Sequence, residues 1–344
     1  MLKILAKESN QQLISPSFSI TSKDAKTFSE LGDTLFTELA ERMATRHDYR
    51  LLFEHTLKPE LFTQIRLAAA DYISTVLESP IILSEQEMLT RLIEARAQGK
   101  LPNYVGTGLL MPKKEHVLAF NTLQKHVSNA FFQLGANDLI DAVDLPINLR
   151  MVFGKTSPEV MKIPFTSMKL HSDVWNGVHP DATVVVLPLF GDIDNITIEA
   201  GEMPKELELP SMRLMSDFNE GADIPQVISY DNAKMQHGTM YFNDARGLHQ
   251  TVRRVSEGLR ISIDFRFRRK FNEKYRAMIP ADAMKPPSKQ EFLADMSVPY
   301  QQWLQVGRET MMVFDDTMEE AKQLYQGTKN VPLYNRNYRL VNLF

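Results

Sequence analysis

The sequence predicts an α+β protein with a strand-rich centre between helical flanks. Three observations carry this. Apolar residues recur at helical spacing in the first third of the chain, alternating and β-branched runs fill the centre, and helical spacing returns after Lys270. Over positions 24–44, Phe28, Leu31, Leu35, Phe36, Leu39 and Met43 mark a helix, with Ser22 as its expected N-cap. Positions 61–77 and 84–97 read the same way, and Ser84 with Glu87 three residues on has the form of a capping box. A further helix is expected over 114–134, and a short strand over 105–111, between Pro102 and Pro112.

The character changes near Asp144. Positions 148–153 alternate like a half-buried strand, and 168–174 and 182–190 read as extended. The latter contains Val184-Val185-Val186-Leu187, a run suited to a buried strand. Positions 196–198, 239–242 and 259–267 complete the set. The last alternates almost perfectly, with an apolar face and a face carrying Arg260, Ser262, Asp264 and Arg266. Beyond Lys270, helices are expected over 288–296, 300–306 and 317–325, punctuated by Pro286, Pro287 and Pro299. Met311, Met312 and Phe314 are read as helical core or interface positions. The expected organisation is a helical region over 1–140, a core over 141–270 and a helical extension over 271–344, in one compact domain.

Composition bounds the function. The 344 residues are 43% hydrophobic and 24% charged, so a packed core is expected. Lys and Arg number 39 against 43 Asp and Glu, a net charge of −4, which argues against a nucleic-acid partner. The chain has no cysteine, which excludes disulfides, thiolate metal sites and cysteine nucleophiles. The stretch Met1-Leu2-Lys3-Ile4-Leu5-Ala6-Lys7-Glu8 is too short and charged for a signal peptide, and no window has the roughly 20 apolar residues of a membrane span. The expected location is cytoplasmic, with no membrane partner.

Three features of the centre carry chemistry. His171-Ser172-Asp173 would place its His and Asp on one face of a strand, able to grip one metal ion. His249 follows 78 positions later (249 minus 171). Two imidazoles and one carboxylate leave coordination positions open on an iron(II) ion. Arg260 and Ser262 share a face further on. A planar, always charged guanidinium suits a carboxylate, and Thr251, two residues past His249, is another candidate donor.

This pattern resembles the iron(II)/2-oxoglutarate-dependent dioxygenase superfamily. His249-Gln250-Thr251 with Arg260 downstream resembles its phytanoyl-CoA hydroxylase-like branch. Thr166-Ser167-Met168-Lys169-Leu170-His171-Ser172-Asp173-Val174-Trp175-Asn176-Gly177 is similar to oxygenases of bacterial carbohydrate-biosynthesis clusters, and Gly238-Thr239-Met240-Tyr241-Phe242-Asn243 resembles the strand before the distal His. The resemblance spans roughly positions 148–268. It implies a double-stranded β-helix, a cupin-like jelly-roll with flanking helices. It implies Fe(II) on His171, Asp173 and His249, 2-oxoglutarate anchored by Arg260 with Ser262 and Thr251, and O2 as co-reactant. The implied reaction is hydroxylation of a small molecule such as a sugar or natural-product intermediate, giving succinate and carbon dioxide. Asp173 argues against a halogenase, which lacks that carboxylate.

Other readings compete. His237 is a rival to His249, but its distance to Arg260 is longer. His179-Pro180-Asp181 repeats the His-x-Asp spacing, though its proline favours a turn. Trp175, Asn176 and Arg150 are candidate substrate contacts. Arg150 and Lys169 are otherwise a solvated face, and Arg260 would otherwise pair with Asp264 or Glu257. Two alternative functions remain: a degenerate jelly-roll that only binds, and a cupin-type metalloenzyme independent of 2-oxoglutarate. A homo-oligomer through the helical extensions is a further expectation.

Overall fold

The computed structural model describes residues 20–102, 104, 108–154, 158–222, 224, 234–255, 257–270, 272–280, 297–314 and 338–343. The chain opens with α1 (Ser22–Met43), then β1 (Arg46–Tyr49) and β2 (Leu52–Thr56). Next come α2 (Pro59–Val76), α3 (Glu85–Ala97) and α4 (Val117–Phe132). The strand-rich part follows: β3 (Ile140–Asp144), β4 (Asn148–Phe153), β5 (His171–Ser172), β6 (Ala182–Gly191) and β7 (Ile196–Gly201). After α5 (Lys205–Ser211) come β8 (Thr239–Asp244), β9 (Leu248–Arg253) and β10 (Leu259–Arg269). The last elements are α6 (Glu273–Met278), β11 (Ser297–Pro299), α7 (Tyr300–Gln305), β12 (Thr310–Phe314) and β13 (Tyr338–Asn342).

These build an α+β architecture with antiparallel strand pairing. The large sheet runs β1-β2-β8-β6-β10-β3-β11, with β4 also on β10. The small sheet is β5-β9-β7, and β12 pairs with β13. The core lies between the large sheet and the helices. Leu259, Ile261, Ile263, Phe265 and Phe267 of β10 join Val185 and Leu187 of β6 in one buried cluster with Tyr72 and Ile73 of α2 and Phe120 and Phe131 of α4. Period-2 alternation thus sends the odd residues of β10 from Leu259 to Phe267 into the helices. Its even residues turn the other way: Arg260 donates to Ile196 of β7, and Arg266 approaches Asp173 just after β5. Both sides of β10 are covered, so the alternating strand is buried throughout its first seven residues rather than half-solvated.

Several expectations change. The cap of α1 is Thr21, not Ser22, because the reciprocal box needs an acid three residues on and Asp24 supplies it. Ser84 and Glu87 do form the expected box on α3. The region before 140 is not purely helical, since β2 pairs with β8 and extends the large sheet. The final segment carries strands as well as α7: β11 pairs with β3, and Met311 and Met312 lie on β12. Met312 is buried beside α4, where Asn121 of that helix accepts from its backbone N–H. The expected strand at 105–111 is reduced to isolated bridges, Tyr104 with Leu110 and Leu109 with Arg150, and residues 105–107 lie outside the described residues. The helices expected over 288–296 and 317–325 also lie outside them. Among the described residues, no helix is long and apolar enough to cross a membrane.

Candidate metal centre

The small sheet makes the site. β5 pairs antiparallel with β9 in a register that sets His171 directly opposite His249. Directly opposed residues of an antiparallel pair have neighbouring side chains, and here the ring centroids are 4.3 Å apart. Asp173 does not share a strand with His171 as expected. β5 ends at Ser172, and Asp173 opens a 3-10 turn over Asp173–Asn176. That turn curls the carboxylate back over the histidine pair. His171 Nε2 lies 3.9 Å from Asp173 Oδ1, and His249 Nε2 lies 3.8 Å from Asp173 Oδ2. One ligand atom from each of the three residues falls within 4.8 Å of the others.

The ring orientations suit a metal. His171 Nδ1 sits 2.7 Å from the Lys169 carbonyl. A carbonyl only accepts, so Nδ1 carries the proton and Nε2 keeps its lone pair for an ion. His249 Nδ1 lies 3.4 Å from the Gly247 carbonyl and 3.4 Å from Asn243 Nδ2. Gly247 permits this tight turn, since a Cβ there would come within 2.8 Å of Asn243 Oδ1. Burial, with His249 nearby, pushes the His171 imidazole down to about 3, so it is neutral and ready to ligate at neutral pH. Burial opposes ionisation of Asp173, but Arg266, then His249 and His171, outweigh it and hold the carboxyl below its usual range. Two imidazoles and one carboxylate are a hard-to-borderline donor set, suited to a divalent first-row metal.

Packing fixes the set from behind. His171 stacks on Phe218 at 4.1 Å. Trp175 is fully buried in a cluster with Met203, Met215, Phe218, Ile224 and Leu248. It packs with Phe218, the ring that stacks on His171. A Cβ on Gly221 would come 2.3 Å from the Trp175 ring, so that glycine is needed for close approach. Asn176 points out of the same turn and is exposed.

The other sequence candidates divide. Arg260 is 1% exposed. Its Nη1 donates to the Ile196 carbonyl at 2.9 Å, and its Nε has no partner among the described residues. Burial and then Arg150 push it down to about 10, still cationic at neutral pH. It does not pair with Asp264. Arg150 does, through Nε at 2.9 Å and Nη2 at 2.7 Å, both to Oδ2. Arg150 is thus ion-paired and partly exposed. Ser262 is buried, and its hydroxyl has no partner among the described residues. Thr251 is buried on β9, its backbone N–H donating to the Ser167 carbonyl at 2.6 Å. Lys169 is buried and paired with Asp217 at 2.8 Å. His237 is exposed and outside the cluster. His179 and Asp181 lie 3.3 Å apart in the turn before β6.

Two features were missed in the sequence. Arg266 Nη2 lies 3.6 Å from Asp173 Oδ1. Its signal was available, since it shares the even-numbered face of β10 with Arg260. The second is a buried ion network behind the β8–β9 turn. Arg246, fully buried, donates to Asp244, Glu208 and Asp33, while Arg50 reaches Asp33, Glu202 and Glu208, and Arg269 reaches Asp244 at 2.8 Å. It ties α1 and α5 to the turn that precedes His249.

No protein-family model matches the chain. No curated protein matches it in sequence. Among solved structures, it is similar to the apo form of a non-haem monooxygenase, ThoJ, at 16% identity and a TM-score of 0.33, over 62% of this chain and 71% of that one. It is similar to SnoN, a non-haem α-ketoglutarate-dependent epimerase from nogalamycin biosynthesis, at 10% identity and a TM-score of 0.36, over 78% of this chain and 94% of that one. It is also similar to AviO1 from Streptomyces viridochromogenes Tue57, at 15% identity and a TM-score of 0.35, over 67% of this chain and 94% of that one.

Proposed function

We propose that this chain is a non-haem iron(II)- and 2-oxoglutarate-dependent oxygenase built on a double-stranded β-helix. The observation that carries the reading is the β5–β9 register: it opposes His171 to His249 and brings Asp173 within 4 Å of both. The large sheet has β4, β10, β6 and β8 adjacent in order; with the small sheet β5-β9-β7 it would supply the two walls of such a jelly-roll. His171, Asp173 and His249 would hold the iron, which with 2-oxoglutarate and O2 supplies the oxidising chemistry and yields succinate and carbon dioxide.

The chain's own residues do the rest. Arg260 presents a buried cation with an unfilled donor, suited to the far carboxylate of 2-oxoglutarate. Ser262, two residues on along the same face, offers an unpartnered hydroxyl to the same carboxylate. Thr251 shares the β9 face of His249 and stands third in this set. The Lys169 carbonyl holds the His171 tautomer, and Phe218 and Trp175 keep water from the underside of the ring pair. The reaction we favour is hydroxylation of a small molecule such as a sugar or natural-product intermediate, in the cytoplasm. The likeness of the segment around His171 to oxygenases of carbohydrate-biosynthesis clusters supports that substrate class.

The test needs no substrate. Iron(II) and then 2-oxoglutarate are added to the protein without oxygen, and the visible spectrum is recorded. A weak charge-transfer band that requires both additions is expected, and Asp173→Ala should abolish both iron binding and the band. Iron binding without a band would replace this reading with a metalloenzyme independent of 2-oxoglutarate. No iron binding at all would leave a binding protein.

A further inference from the structure

Arg266 has no part in the reading above, yet it reaches from the large sheet to the metal-ligand turn. It stands six residues beyond Arg260 on the same face of β10, a strand paired with β6 along one edge and with β4 and β3 along the other. Its side chain is 27% exposed and that of Asp173 is 7% exposed. The groups facing the Asp173 carboxylate are unequally shared. Oδ1 meets both the Arg266 guanidinium at 3.6 Å and His171 Nε2 at 3.9 Å, whereas Oδ2 meets His249 Nε2 at 3.8 Å. Arg150 acts on it from farther off.

A carboxylate can ligate an ion through one oxygen or through both. An oxygen that faces a guanidinium at ion-pair distance is the poorer metal donor, because the cation already draws on its negative charge. The geometry points to Arg266 as the positioning residue that occupies Oδ1 and leaves Oδ2 of Asp173 as the single oxygen for the ion. This rests on the oxygenase reading and sharpens it. Ligation through one oxygen keeps open the position that chelation by the 2-oxo acid and oxygen together require. The guanidinium is mounted on the same rigid strand as Arg260, so one element sets both the anchor for 2-oxoglutarate and the rotation of the carboxylate.

The experiment uses the full chain with manganese(II) as the probe. Coordinated waters are counted from magnetic-resonance broadening in water enriched in oxygen-17. The wild-type protein should hold about three and Arg266→Gln about two, as the released oxygen joins the ion, with Arg266→Lys restoring about three. Affinity for 2-oxoglutarate at saturating metal should fall about tenfold in Arg266→Gln and recover in Arg266→Lys. An unchanged count in Arg266→Gln, or loss of the ion from it, overturns the assignment of Arg266 alone. Failure of the wild-type chain to bind manganese overturns the oxygenase reading and this one with it. Should Arg266→Gln not fold, Arg266→Met is read in its place.

Discussion

Arg246 and Arg260 are both buried arginines, 0% and 1% exposed, and the chain treats them differently. Every nitrogen of the Arg246 guanidinium is used. Nε and Nη2 meet Asp244 at 2.9 Å each, Nη1 meets Glu208 at 3.1 Å, and Nη2 also reaches Asp33 at 3.3 Å. Arg260 has a backbone carbonyl and the sulfur of Met235, an unused Nε, and no carboxylate within ion-pair distance among the described residues. Ser262 beside it is equally unsatisfied. Burying a charge without partners is costly, so a fold that closes one set completely and leaves the other open is reserving the second for something. The closed set holds the turn before His249. The open set lies on the strand face that leads to Asp173.

The largest effect should come from breaking the closed set. Arg246→Ala leaves Asp244 with Arg269 alone and Glu208 with Arg50 alone, and removing one partner of a buried pair costs about 3–5 kcal/mol. Thermal or denaturant unfolding should show a loss of that order. A change below about 1 kcal/mol would mean that the network contributes little and that the contrast with Arg260 is empty.

Arg260→Ala probes the open set and should behave in the opposite sense. Stability should barely change, because no internal carboxylate loses its partner. The dissociation constant of 2-oxoglutarate should rise roughly 10- to 150-fold, matching about 1.5–3 kcal/mol for a charge-assisted contact. Iron binding should stay close to wild type. A large loss of stability with unchanged 2-oxoglutarate binding would place Arg260 among the structural arginines.

The two regions were also unequally legible in the sequence. Arg260 and Ser262 stood out because period-2 alternation on β10 is a local signal, and His249 followed from its spacing to Arg260. The His171-Asp173 pairing was correct in its residues but not in its cause, since the carboxylate arrives by a 3-10 turn and not along a strand. β2 and β9 were hidden because His55, His249 and Gln250 interrupt their apolar alternation. The Arg246 network could not be seen at all. Its partners Asp33 and Glu208 lie 213 and 38 residues away in sequence, and only the packing of α1 and α5 brings them together. Gly32 is the one trace of it, since a Cβ there would come within 2.3 Å of Arg246.

Acid titration separates the two regions without mutation. Burial opposes ionisation of Asp244, but Arg246 and then Arg269 draw its carboxyl down to about 2 from 3.8. The folded protein therefore binds fewer protons there than the unfolded chain. The stabilisation is full above about pH 4 and is lost as pH falls toward 2, a contribution of about 2 kcal/mol. Unfolding measured between pH 5 and pH 2 should show this loss in the wild type, and Asp244→Asn should flatten that part of the profile. An unchanged slope in the variant would remove Asp244 from the closed set.

The smallest effect is the most discriminating. Ser262 carries a buried hydroxyl with no partner among the described residues. If the hydroxyl does not serve the fold, removing it from the metal-free protein should leave stability unchanged or slightly raised, because an unsatisfied polar group is gone. If it also serves 2-oxoglutarate, Ser262→Ala should weaken that ligand about fivefold, the worth of one ordinary hydrogen bond near 1 kcal/mol. The expected pair of results is therefore a melting temperature at or above wild type together with a modest loss of 2-oxoglutarate affinity. A lowered melting temperature with intact affinity would show that Ser262 has an internal partner after all, and the open set would then reduce to Arg260 alone.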